Sequence, residues 1–151
     1  MRKPTIVFLM GNSGSGKSFL EKNILQDYSE YFHKVISHTT RPIDKIDRKE
    51  VTGVDYHFVS KDTFLKMKDN FEFVQITEYG GNFYGSTFSE YDKNIPFVMV
   101  SIVPKEAEKL KKKLMKRGFQ NFRSILLDIS DQKIIENLRK NGLSDHELDK
   151  V

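Results

Sequence analysis

Four residues near the start of the chain have the types and spacing of a phosphate cradle. Gly11, Gly16, Lys17 and Ser18 fit the pattern G-x-x-x-x-G-K-[ST] within the stretch GNSGSGKS. The loop they bound, Gly11, Asn12, Ser13, Gly14, Ser15 and Gly16, is built from small residues. In such a loop successive backbone N–H groups converge on an anion at the N-terminus of the following helix, where the helix dipole also favours negative charge. The motif assigns Lys17 to the β- and γ-phosphates of a nucleotide and the Ser18 hydroxyl to Mg2+, with Phe19 closing the phosphate-contacting stretch.

The elements that must position this loop follow from periodicity. Strands are expected over residues 5–10, 34–37, 96–103 and 122–129, and helices over 17–31, 104–117 and 131–140. This β-α-β alternation predicts a parallel sheet covered by helices. Residues 41–92 break the rhythm. VDYHFVS, FEFVQITEYG and NFYGST are short, aromatic, β-rich pieces punctuated by Gly and Asn, which predicts a small, mostly antiparallel insert beside the sheet. With no repeat or low-complexity linker, the expected organisation is one domain over 1–151, with a core at 1–40 and 93–130 and the insert at 41–92.

Composition narrows the function classes. At 151 residues and 38% hydrophobic content the chain can bury one core but not two comfortable ones. The absence of Cys excludes a disulfide framework, a thiolate metal site and a Cys nucleophile. Met1, Arg2 and Lys3 precede an apolar run as in a signal peptide, but the run stops at Met10 and leads into the Gly-rich loop, so a soluble, cytoplasmic protein is expected. No other stretch approaches membrane-spanning length, and no membrane partner is expected. The net charge of +4 suits a pocket that gathers polyanionic nucleotides. The densest basic run, KEAEKLKKKLMKRG, interleaves Ala107, Leu110 and Leu114 at helical spacing. Its lysines therefore read as the solvated face of an amphipathic helix, and no nucleic-acid partner is expected.

The insert carries more specific residues. SHTTRP at 37–42, GVDYHFVS at 53–60 and GNFYGST at 81–87, in this order after the phosphate loop, resemble the guanylate kinase family over about residues 5–87. The resemblance implies a P-loop three-layer α/β fold, with the insert as the nucleoside monophosphate-binding region and 131–151 as a lid-like segment. It implies an enzyme that closes over ATP and GMP or dGMP with Mg2+ and releases ADP and the nucleoside diphosphate. Ser37 then resembles the hydroxyl donor to guanine O6, Arg41, Tyr56 and Tyr84 the grip on the monophosphate, and Ser86 a further base contact. A phosphomonoester dianion independently calls for a guanidinium fork and phenolic donors. A protein partner or homo-oligomer is left open.

Four features depart from the family pattern. The loop RPIDKIDRKEVTG is about three residues longer, which makes Arg48 the choice for a second phosphate-gripping Arg and Lys45 the fallback. Gln75 stands where the family has a base-reading Glu, so one acceptor and one donor replace two acceptors and the base specificity is open. Glu72 and Glu78 lie three positions away, on the opposite strand face. Ser101 and Val103 occupy the strand end where the family carries acids, leaving Asp128 at the end of a later strand as the candidate metal-side carboxylate. Asn137 and Asn141 stand at the lid arginines, with Arg139 and Lys140 as neighbours that could substitute. The chain stops at Val151, before the last helix, strand and helix implied by the resemblance, so an incomplete adenine side is expected.

Two functions from different classes follow. One is a nucleoside monophosphate kinase using Lys17, Arg41 and Arg48 in catalysis; the other is a kinase-derived nucleotide-binding or protein-interaction module with weakened turnover.

Overall fold

β1 (Thr5–Met10) alternates its side chains between two buried faces, and the architecture grows from that alternation. In the computed structural model, which describes residues 2–140 and 142, Ile6 and Phe8 pack into one cluster with Val98, Ala107, Leu110, Leu114 and Phe119. Val7 and Leu9 point the other way and pack with Met99, Leu20, Ile24 and Leu25.

The element order begins β1, α1 (Lys17–Tyr28), β2 (Phe32–Lys34), β3 (His38–Thr39), β4 (His57–Phe58) and α2 (Lys61–Asp69). It continues through β5 (Phe73–Tyr79), β6 (Asn82–Thr87), α3 (Phe88–Tyr91), β7 (Phe97–Ile102), α4 (Pro104–Met115), β8 (Phe122–Leu126) and α5 (Asp131–Lys140). The first sheet has the order β2-β7-β1-β8 and is parallel throughout. Leu20, Ile24 and Leu25 of α1 cover one face, and Ala107, Leu110 and Leu114 of α4 cover the other, which gives the expected three-layer α/β fold with a parallel sheet. Pro104 starts α4, where its missing N–H costs nothing, and Lys109, Lys112 and Lys113 face solvent as the basic run predicts.

The second sheet runs β4-β3-β6-β5. Its β5–β6 hairpin turns at Gly80 and Gly81, whose φ values of 57° and 76° fit a two-residue turn matched to strand twist. Two features depart from expectation. β3 and β4 pair in parallel, and the helix α2 lies between β4 and β5. The start of α2 is chemically marked: the Ser60 hydroxyl accepts from the Thr63 N–H at 3.1 Å, and Asp62 sits in the first turn. Phe64 of α2 is fully buried and stacks on Phe73 at 4.4 Å and Phe83 at 5.5 Å, so a run with few apolar residues is held by one anchor.

Boundaries also move. β2 lies at Phe32–Lys34 rather than at 34–37 because Phe32 stacks on Phe97 at 4.9 Å and pairs with it across the sheet. α1 stops at Tyr28, and β8 stops at Leu126.

Candidate active site

The phosphate loop leaves β1 at Met10 and enters α1 at Lys17, through Gly14 and Gly16 with φ of 81° and 96°. Those angles require glycine. A Cβ on Gly14 would also meet Leu138 at 2.8 Å, and one on Gly11 would meet the Ser15 hydroxyl at 2.4 Å. The loop is thus packed from outside by α5, and the Asn137 amide donates to the Gly14 carbonyl at 2.8 Å. Among the described residues no side chain caps the N-terminus of α1, where Lys17 and Ser18 begin the helix. The Lys17 ammonium donates to the Gly11 carbonyl and, at 3.0 Å, to the Asn12 carbonyl; burial lowers its pKa from the usual lysine value. Ser15 is buried, and its hydroxyl has no partner among the described residues, whereas Asn12, Ser13, Ser18 and Phe19 are exposed.

A cavity of about 510 Å³ opens between the two sheets. Lys17 and Ser18 line one end, and Ser37, Tyr56, Gln75, Tyr84 and Ser86 line the insert side. Gln75 and Ser86 are direct cross-strand neighbours on β5 and β6, beside a register irregularity between Phe73 and Gln75. Gly85, next to Ser86 on β6 and opposite Ile76, has no room for a Cβ, which would meet the Phe73 ring at 2.7 Å and the Gln75 carbonyl at 3.0 Å. The hydroxyl of the fully buried Tyr91 donates to the Ser86 hydroxyl at 3.1 Å, and burial pushes that phenol up to about 12.

Arg41 is not among the residues lining this cavity; its guanidinium stands 5.5 Å from the ring centroid of Tyr56, which does line it and in turn meets Tyr84 edge-on at 5.9 Å. Glu50 holds the guanidinium through two bonds, and that hydrogen bond raises the Arg41 pKa. The same pairing holds Glu50 below the usual carboxylate range.

Some expected residues lie elsewhere. Arg48 and Lys45 are exposed on the long 43–49 loop, which the Asp44 carboxylate folds by accepting the Ile46 and Asp47 N–H groups. Asp128 lies beyond the end of β8, exposed and outside the cavity lining, because β8 is an edge strand that stops short. Glu72 and Glu78 are exposed and line nothing, whereas Thr77, two positions from Gln75, shares its face. Arg139 and Lys140 are exposed at the end of α5, and Asn141 lies outside the described residues, as do residues 143–151 of the segment expected to form a lid.

Sequence reasoning missed four acids that line the cavity: Glu21, Glu50, Asp55 and Glu106. Glu21 had a readable signal, since it follows Lys17 by one helical turn on the same face of α1. Glu50 reaches back across the loop to Arg41, a contact that spacing alone does not show.

Comparison with known proteins gives the following. Residues 1–96 match the family model described as guanylate kinase. A guanylate kinase from Schizosaccharomyces pombe is 41% identical over 85 residues, covering 56% of this chain and 40% of its own length. One from Pseudomonas fluorescens is 38% identical over 91 residues, covering 60% of this chain and 42% of its own length. The chain thus spans about two-fifths of the length of these curated relatives. The crystal structure of guanylate kinase from Anaplasma phagocytophilum aligns over 96% of this chain and 89% of that one, with a TM-score of 0.46 and 22% identity.

Proposed function

The chain belongs to the guanylate kinase family, and from that premise we propose that it transfers the γ-phosphoryl of Mg-ATP to GMP or dGMP, giving ADP and the nucleoside diphosphate. The observation that carries this reading is that one cavity is lined by Lys17 and Ser18 of the phosphate loop and by Tyr56, Gln75, Tyr84 and Ser86 of the insert. A donor phosphate and an acceptor nucleotide can therefore meet in one space.

The work of such a site is positioning and charge neutralisation rather than covalent chemistry. The loop amides of residues 11–16, the α1 N-terminus and Lys17 hold the donor phosphates, and Phe19 flanks them. Arg41, oriented by Glu50 through Nη1 and Nη2, turns its remaining N–H donors to the acceptor phosphate together with the Tyr56 and Tyr84 hydroxyls. Arg48 joins them when the insert closes over the core, which also excludes water from the transfer. Ser37, Gln75 and Ser86 read the base. Mg2+ fits the oxygen donors present, and the Ser18 hydroxyl would hold it. When bound, the metal would supply charge neutralisation. A cytoplasmic location, where ATP and nucleoside monophosphates meet, goes with this reading; among the described residues no helix is long and apolar enough to cross a membrane.

A second reading, a nucleotide-binding module with weakened turnover, is favoured by Asn137: its amide is engaged with the Gly14 carbonyl, where the family pattern has an arginine. A coupled ADP-release assay with Mg-ATP and GMP, dGMP, AMP or IMP separates the two. Turnover with GMP that vanishes in Lys17→Ala supports the kinase. Its absence with every acceptor, in folded protein that binds ATP, supports the module.

A further inference from the structure

Glu21 is a charged residue that the proposed mechanism leaves without a task. It is only 8% exposed, lines the cavity with Lys17 and Ser18, and follows Ser18 by three positions on the same helix. Its carboxylate is held from two sides: the Ser101 hydroxyl donates to Oε2 at 2.6 Å, and the Lys34 ammonium meets Oε1 at 3.0 Å. Ser101 lies near the carboxyl end of β7, the edge toward which ligands gather in a parallel sheet.

We propose that Glu21 supplies the carboxylate on the magnesium side of the phosphate loop, with Ser101 and Lys34 as its positioning residues; this rests on the phosphoryl-transfer reading above. The other acids of the lining sit on other elements and have partners of their own. Glu50 is bound by Arg41 and the Asp44 N–H, Asp55 accepts the Val51 N–H at 2.7 Å, and Glu106 pairs with Lys109 at 3.4 Å. Asp128 is outside the lining. Only Glu21 among these acids stands within one helical turn of Ser18.

The donor chemistry fits this cation. Mg2+ retains several waters and is bound through one or two carboxylates plus substrate phosphates, rather than in a protein cage. Among the described residues no cluster of three or more acids or histidines offers such a cage. Each Glu21 oxygen keeps an acceptor lone pair beyond its present bond. Lys34, 34% exposed at its side chain, balances the carboxylate and can turn to solvent as the cation takes its place, the cation's second charge falling to the substrate phosphates. The acid expected at the end of the β7 strand has thus changed carrier: Ser101 keeps the place and Glu21 on α1 brings the charge to it.

The test is Mn2+ binding, read by electron paramagnetic resonance of the free ion, with ADP present. Wild-type protein, Glu21→Gln and the double variant Glu21→Leu with Ser101→Asp are titrated alongside ADP binding in EDTA and thermal unfolding. The expected result is a loss of about tenfold or more in Mn2+ affinity for the ADP complex of Glu21→Gln, within the range for outer-sphere carboxylates. ADP affinity without metal stays unchanged, and the double variant, carrying the carboxylate on the strand, regains the metal. Equal Mn2+ affinity in wild type and Glu21→Gln overturns the assignment while leaving the kinase reading standing. A wild-type ADP complex that binds no Mn2+ overturns both. If Glu21→Gln does not fold, the double variant decides: failure to bind Mn2+ in folded protein counts against a carboxylate at this place.

Discussion

Arg41 donates to both carboxylate oxygens of Glu50, from Nη1 to Oε2 at 3.1 Å and from Nη2 to Oε1 at 2.5 Å. The fork holds the guanidinium beside Tyr56 and Phe58 instead of letting it sweep through solvent. Planarity is what makes two parallel bonds available, and lysine lacks it. Arg41→Lys is therefore expected to raise KM for the monophosphate by about tenfold or more, as expected for loss of a charge-assisted bond of ~1.5–3 kcal/mol. KM for ATP should hold. Steady-state kinetics with each substrate varied in turn checks this.

Gln75 faces Ser86 across the β5–β6 hairpin and offers one acceptor and one donor to a base edge. Guanine N1–H and N2–H2 are adjacent donors, and the amide can satisfy only one as an acceptor. Hypoxanthine lacks the second. The wild-type protein should therefore separate GMP from IMP weakly, and Gln75→Glu should favour GMP by about fivefold or more, the worth of roughly 1 kcal/mol for one added hydrogen bond. Competition of the two acceptors for the same protein, read as the ratio of kcat/KM values, measures it.

Phe64 fixes the insert through a fully buried ring stacked between Phe73 and Phe83. Its truncation to Ala leaves a cavity under the strand that carries Gln75, at a cost of about 3–5 kcal/mol. Against a typical domain stability of about 5–15 kcal/mol that loss is severe. Urea unfolding should show a clear fall in the midpoint for Phe64→Ala.

Glu90 ties the two sheets together: Oε2 accepts from His33 at 2.8 Å and the Ile36 N–H at 3.0 Å, and Oε1 faces His57 at 3.1 Å and Lys93 at 3.7 Å. Burial alone would raise its pKa, but the bonds from His33, Ile36 and His57, with the charge of Lys93, outweigh it and lower the carboxyl from 4.5 to about 2. His38, its ring tilted against that of His57 at 4.6 Å, has its own pKa lowered by burial and by the charge of His57. A folded-state value below the unfolded one means stability present above pH 4.5 and lost as pH falls toward 2. The shift corresponds to roughly 3 kcal/mol across that window. Denaturant midpoints measured through it should fall in wild type and flatten in Glu90→Gln, which is already destabilised at neutral pH.

The phosphate loop was legible because its chemistry is local: small residues, a lysine and a hydroxyl at fixed spacing between a strand and a helix. β1 and α4 were legible because two-sided burial and a single apolar helix face leave clear periods. The helix α2 was not, since its hold on the insert comes from Phe64 meeting two rings distant in sequence. β2 moved for the same reason, through Phe32 on Phe97. In the site, Gln75 and Ser86 were placed by motif spacing, but Glu21 acquired meaning only once Ser101 and Lys34, from two other strands, closed around it. Tertiary contact selected among residues that sequence treats alike.

The most direct test of the central claim follows the phosphoryl group itself. The protein is incubated with ATP labelled at its γ-phosphate, Mg2+ and unlabelled GMP, and the products are separated, with Lys17→Ala in parallel. The account predicts label in the β-phosphate of GDP, little as free phosphate, and none transferred by the variant. Label that remains in ATP, or leaves only as inorganic phosphate, would contradict it.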